Sequence, residues 1–148
     1  MYEYKVSEKL QEDERYKHLL SCLSENPIKL WEDGKMSVGS LELTQQRINQ
    51  ICLANGMKKL VLGFESFEDL IKKNDNKGII LFTNDASKRF YRNIEKRLYQ
   101  NPGRFFPIYL NIDSITFAEK ILKKQSSMKF VYIEGEEMYA RILMGFAK

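Results

Sequence analysis

A chain of 148 residues that is 43% hydrophobic and 30% charged is long enough to bury a core and too apolar to remain disordered. Its formal net charge of +4 leans toward a polyanionic partner, yet falls short of the density of a dedicated nucleic-acid arm. One histidine, His18, and two distant cysteines, Cys22 and Cys52, give a zinc site too few ligands. Both thiols sit among apolar neighbours, so buried free cysteines are expected rather than a disulfide.

Met1–Leu10 alternates charge without an apolar centre, and no apolar run is long enough to span a bilayer. No leader peptide, a cytoplasmic location and no membrane partner are the resulting expectations.

In chain order, Ser7 can cap a helix that runs to about Asn26, with Tyr16, Leu19, Leu20 and Leu23 in one apolar stripe. Pro27 ends it. The stretch from Ile28 to Val38 reads as a hairpin. A three-residue loop, Glu32-Asp33-Gly34, pairs Leu30 with Met36 and Ile28 with Val38, which puts the apolar residues on one face; Gly34 would supply a left-handed position. A helix follows with Ile48, Ile51 and Cys52 on one face and Gly56 placed to stop it.

From there strands and helices alternate. The expected strands are Lys58–Leu62, Ile79–Thr83, Phe106–Leu110 and Lys129–Ile133. The expected helices are Ser66–Lys73, one after Asp85 or Ser87 burying Phe90, Ile94 and Leu98, Ser114–Lys124 with Ile115 inward, and Glu136–Phe146. Alternation of this kind predicts an α/β fold: a three-layer α/β/α sandwich around a mostly buried sheet of these four strands. Residues 1–42 form an N-terminal helix and hairpin extension, and residues 43–148 the main domain.

Catalytic chemistry finds no constellation. The paired carboxylates Glu12/Asp13, Glu32/Asp33, Glu68/Asp69 and Glu136/Glu137 are sequence neighbours, which face different sides of a helix or lie in turns. Ser87 lacks an activating base nearby, and the glycines fit neither phosphate-cradling pattern. The chain is therefore expected to be no enzyme and to hold no cofactor or metal. The most basic segment is the helix after Ser87, with Lys88, Arg89, Arg92, Lys96 and Arg97. Lys88, Arg92 and Lys96 align at four-residue spacing, with Tyr91 and Tyr99 close by for stacking, as a phosphate-binding row would require. A solvated outer face is the plain alternative.

Three segments together resemble the L-seven-Ae ribosomal-protein family, especially its small bacterial YlxQ-like members: Ile48-Asn49-Gln50-Ile51-Cys52-Leu53-Ala54, Lys59-Leu60-Val61-Leu62-Gly63, and Ile79 through Ser87. The resemblance covers about Ile48 to Phe146 and implies an α/β/α sandwich with a mixed sheet. It also implies a non-catalytic RNA-binding domain, kink-turn-like or ribosome-associated, whose partner is structured RNA, the ribosome or another protein. The family meets RNA with the glycine after the first strand and the start of the next helix, which correspond here to Gly63, Glu65 and Ser66. A second loop corresponds to Asn111–Ile115, with Ile112 and Ser114. Glu65 stands where the family carries asparagine, and a carboxylate only accepts hydrogen bonds and repels phosphate. A protein-interaction module on the same scaffold, with RNA binding lost, is the alternative expectation.

Overall fold

The structure, a computed structural model, describes residues 1–147, without the side chains of Glu136, Glu137 and Tyr139. The last carboxylate pair named above therefore lies outside the described side chains. The elements in chain order are α1 (Glu8–Gln11), α2 (Glu14–Glu25), β1 (Pro27–Lys29), β2 (Ser37–Leu41), α3 (Gln45–Gly56) and β3 (Leu60–Leu62). They continue with α4 (Phe64–Ile71), β4 (Gly78–Phe82), α5 (Lys88–Gln100), β5 (Phe105–Leu110), α6 (Ser114–Leu122), β6 (Phe130–Glu134) and α7 (Glu136–Phe146). The class is α/β with a mixed sheet.

The sheet has six strands rather than the expected four, in the order β1-β2-β5-β4-β6-β3. The hairpin strands cause the difference: β2 pairs in parallel with β5, Ser40 opposite Tyr109 and Leu41 opposite Leu110. Residues 1–42 thus share the sheet and the core with the rest of the chain. In the hairpin, Ile28 faces Val38 and the Leu30 amide donates to the Met36 carbonyl, the register with the apolar residues on one face.

Side chains alternate between the two faces as strand geometry demands. Ile79 and Leu81, Phe106 and Ile108, and Val131 and Ile133 enter one core with α2, α3, α6 and α7. Ile80 and Phe82, Phe105, Phe130 and Tyr132 enter the other with Phe67 of α4 and Ile94 and Leu98 of α5. All five residues of β4 are buried, so the central strand is covered on both faces. Gly39 is set by close approach: a Cβ there would lie 2.5 Å from Leu23 Cβ and 2.9 Å from Leu23 Cα, where α2 lies on β2.

Several local expectations are corrected. The first helix breaks at Glu12-Asp13, because Asp13 accepts from the Arg15 amide at 2.8 Å and starts a second helix. Ser7 precedes α1 without a side-chain cap bond. Gly34 does not take a left-handed conformation; it is packed so closely that a Cβ would be 2.6 Å from both Glu95 Oε2 and Trp31 Nε1. The third helix does end at Gly56, and the left-handed residue that follows it is Lys58 (φ 59°). Cys22 and Cys52 are free but only half-buried, and Cys22 Sγ lies 3.7 Å from His18 Nε2. Ile115 is 62% exposed rather than inward.

The N-terminal segment has no regular structure, yet it fastens the sheet. The Tyr4 hydroxyl donates to the Pro107 carbonyl at 2.7 Å and accepts from the Gly39 amide at 2.8 Å, bridging β5 and β2. Tyr2 donates to the Phe105 carbonyl at 2.5 Å, and burial pushes its phenol up to about 12. Among the described residues, no helix is long and apolar enough to cross a membrane.

Candidate nucleic-acid interface

Pairing fixes which loops meet. β2, β4 and β5 are mutually parallel, while β6 runs antiparallel to both β4 and β3. The C-terminal ends of β2, β3, β4 and β5 therefore lie at one end of the sheet, together with the start of β6. That is the end at which open α/β sheets bind their ligands. The helix after β4 goes to one face and the helix after β5 to the other, so the chain diverges between two adjacent parallel strands.

The crevice at that divergence is bridged from within. Asp85 accepts from the Ser114 amide at 3.1 and 3.0 Å, from the Ser114 hydroxyl at 2.7 Å and from Thr83 Oγ1 at 2.9 Å. Burial alone would raise the Asp85 carboxyl, but these hydrogen bonds outweigh it and hold the group below its ordinary range. The Asn84 amide donates to the Ile112 carbonyl at 3.0 Å, and Asn84 Nδ2 to Asn111 Oδ1 at 3.2 Å. Ser87 rather than Asp85 caps α5, accepting from the Phe90 amide at 3.2 Å. Asp113 caps α6 through the Thr116 amide at 3.0 Å.

The predicted contact residues fall into three groups. Gly63 links β3 to α4 with φ 89° and ψ 150°, a conformation that glycine alone adopts readily, and a Cβ there would meet open space. Glu65 and Ser66 are exposed in the first turn of α4. Lys88, Arg89 and Arg92 are exposed on the first two turns of α5. The two helix starts are neighbours, since the Phe64 and Phe90 rings stand 5.6 Å apart and both pack on Phe130. In the third group, Ile112 is half-buried against the core, and Ser114 is 2% exposed with its hydroxyl and amide both engaged.

The stacking candidates part company. The Tyr91 hydroxyl donates to the Thr83 carbonyl at 2.7 Å and accepts from the Ala86 amide at 3.0 Å, so it ties down the loop after β4. Tyr99 is 57% exposed but sits at the far end of α5. Arg97 turns away from the row to pair with Glu68, its Nε 2.9 Å from Oε2.

Two basic residues that sequence reasoning missed stand beside Gly63. A groove of about 280 Å3 is lined by Leu62 and Gly63 on one side and Lys124, Ser126, Ser127 and Lys129 on the other. The Lys129 carbonyl accepts from the Thr83 amide at 3.0 Å, and Ser127 Oγ donates to Ser114 Oγ at 3.0 Å, which joins this groove to the Asp85 crevice. Lys123, held at φ 57°, turns the chain out of α6 into this connection. The clue was present as Lys123-Lys124-Gln125-Ser126-Ser127, a lysine pair with small hydroxyl residues just before a strand. Its position depended on β6 lying beside β3, a pairing of segments far apart in sequence.

Chemically, this end offers lysine and arginine charge, serine hydroxyls and two exposed apolar residues, Leu62 (40%) and Ile115 (62%). Among the described residues, no group of three His, Cys, Asp or Glu side chains comes together to hold a metal ion. A separate cleft of about 330 Å3 between α1, α2 and α7, lined by Lys9, Leu10, Arg15, Arg141 and Met144, contains none of the predicted contact residues.

No family model and no curated protein matches this chain. Among solved structures, a protein of unknown function from Bacillus halodurans C is similar in fold, with a TM-score of 0.56 at 8% identity. The similarity covers 71% of this chain and all of that one, and at such low identity it concerns the fold alone.

Proposed function

We propose that this chain is a non-catalytic, cytoplasmic RNA-binding domain of L-seven-Ae type, a three-layer α/β/α sandwich whose partner is structured RNA of the ribosomal kind. The reading rests chiefly on one observation: Lys124 and Lys129 flank the groove beside Gly63, at the end of the sheet where α4 and α5 begin. Positive charge next to Gly63 offsets Glu65, and serine hydroxyls there can donate to phosphate oxygens. Arg89 extends the basic surface along α5.

A protein-interaction module on the same scaffold draws support from the exposed Leu62 and Ile115 and from the acidic Glu65 at the same end, with exposed Asp69 further along α4. The discriminating experiment is retention of a labelled RNA stem-loop with an internal bulge, measured across a salt series. Phosphate contacts make affinity fall steeply with salt, whereas an apolar protein interface barely responds.

A further inference from the structure

The chain from Leu30 to Met36 leaves the hairpin and crosses α5, and its seat there is specific. Buried Glu95 of α5, 9% exposed, accepts from the Met36 amide at 3.1 Å. Gly34 is packed against Glu95 and Trp31, so that a Cβ there would displace one of these two side chains. The Trp31 ring lies under two cations of the basic row, Lys88 Nζ 5.7 Å and Arg92 Cζ 6.0 Å from its centre. At the tip, Glu32 and Asp33 bring carboxylates within 4.0 and 3.7 Å of Lys88 Nζ.

This tip presents to Lys88 what a phosphate would present: oxygen-borne negative charge at ion-pair distance. The tip is held loosely, while Leu30 and Met36 stay buried at its base. Both ion pairs are well exposed, so each contributes little. The Trp31 indole N–H is buried without a hydrogen-bond partner, a cost that is relieved when the tip lifts into water.

We propose that the acidic tip of the Leu30–Met36 loop, Glu32 and Asp33 with Trp31, is a strap that covers Lys88 and Arg92 of α5 in the free protein and yields them to nucleic-acid phosphates, while Leu30 and Met36 hold its base. The proposal rests on the RNA reading above and adds a regulatory element to it. Trp31, the only tryptophan of the chain, reports on the strap directly.

The test uses the full chain and the same bulged RNA stem-loop. Replacing the tip, Glu32→Gln with Asp33→Asn, is expected to tighten binding about two- to fivefold at low salt, the range of weak exposed pairs. The same replacement in a Lys88→Met background is expected to change nothing, because the carboxylates act through Lys88. Trp31 emission is expected to shift saturably, with the same midpoint as RNA retention. If the RNA is retained equally with either tip, or the tip replacement acts identically without Lys88, or Trp31 stays silent while RNA binds, the strap is overturned and the RNA reading stands. If neither form retains RNA at low salt, both are overturned.

Discussion

The carboxylate of Asp85 takes both the amide and the hydroxyl of Ser114, fastening the loop after β4 to the start of α6. These two segments leave adjacent parallel strands for opposite faces of the sheet, so the bond closes the divergence between them. Asp85→Ala leaves two buried groups of Ser114 without their acceptor, and the expected loss is about 1–3 kcal/mol of stability. Asp85→Asn, which keeps one acceptor, is expected to lose less. Urea denaturation midpoints of the three proteins check the order.

Acid stability follows from the same site. Hydrogen bonds hold the Asp85 carboxyl below its ordinary value of 3.8 despite burial, so the folded chain binds fewer protons than the unfolded one. Its contribution is complete above pH 3.8 and is lost as pH falls from there through the lower folded value. Asp13 and Asp113 act in the same direction, held down first by hydrogen bonds with Arg15 and Thr116. Thermal unfolding midpoints are expected to fall on acidification below pH 4, about the ordinary aspartate value. Asp85→Asn should flatten that fall.

Gly63 offers a test of conformation apart from space. With φ at 89° and nothing within 4 Å of a Cβ, any substitution strains the backbone alone. Gly63→Ala and Gly63→Ser are therefore expected to cost the same, about 1–3 kcal/mol. A clearly larger loss for serine would mean that space at Gly63 matters.

Gly39 makes the opposite case. A Cβ at this position meets Leu23 Cβ at 2.5 Å and Leu23 Cα at 2.9 Å, so the helix itself must shift. Gly39→Ala is expected to cost about 1–3 kcal/mol from overpacking. Leu23→Ala does not relieve it, because the offending Cβ and Cα remain, and a double-mutant cycle of unfolding free energies checks this.

Much of the fold was legible because its signals are local. The stripe of Tyr16, Leu19 and Leu23 and the hairpin register of Ile28 with Val38 needed only spacing and alternation. The six-stranded sheet was not legible, since parallel pairing of β2 with β5 joins segments about seventy residues apart and leaves no turn signal. Glu95 lies on the most basic helix, yet it is buried because the Leu30–Met36 loop covers it and its carboxylate accepts from the Met36 amide, a contact no local pattern announces. Ile115 has helical spacing toward the core, but it sits in the first turn of α6, at the end of the sheet. At the candidate site, Gly63 and the α5 row could be found from sequence. Lys124 and Lys129 could not be placed beside Gly63 until β6 was known to lie between β3 and β4.

Charge substitutions probe the proposed interface from both directions. Arg92→Glu is expected to weaken RNA retention by reversing a charge on α5. Glu65→Asn is expected to strengthen it by removing a repelling carboxylate and adding a donor beside Gly63. Gel retention of the bulged stem-loop at fixed salt checks both signs.

The most direct measurement is the salt dependence of RNA affinity for the unaltered chain and for the Lys124→Ala, Lys129→Ala protein. Loss of two phosphate contacts should weaken binding at low salt and make the slope of log affinity against log salt shallower by about 1.4–1.8. No salt-dependent retention by the unaltered chain, or the same slope and affinity in both proteins, would contradict the placement of the interface beside Gly63.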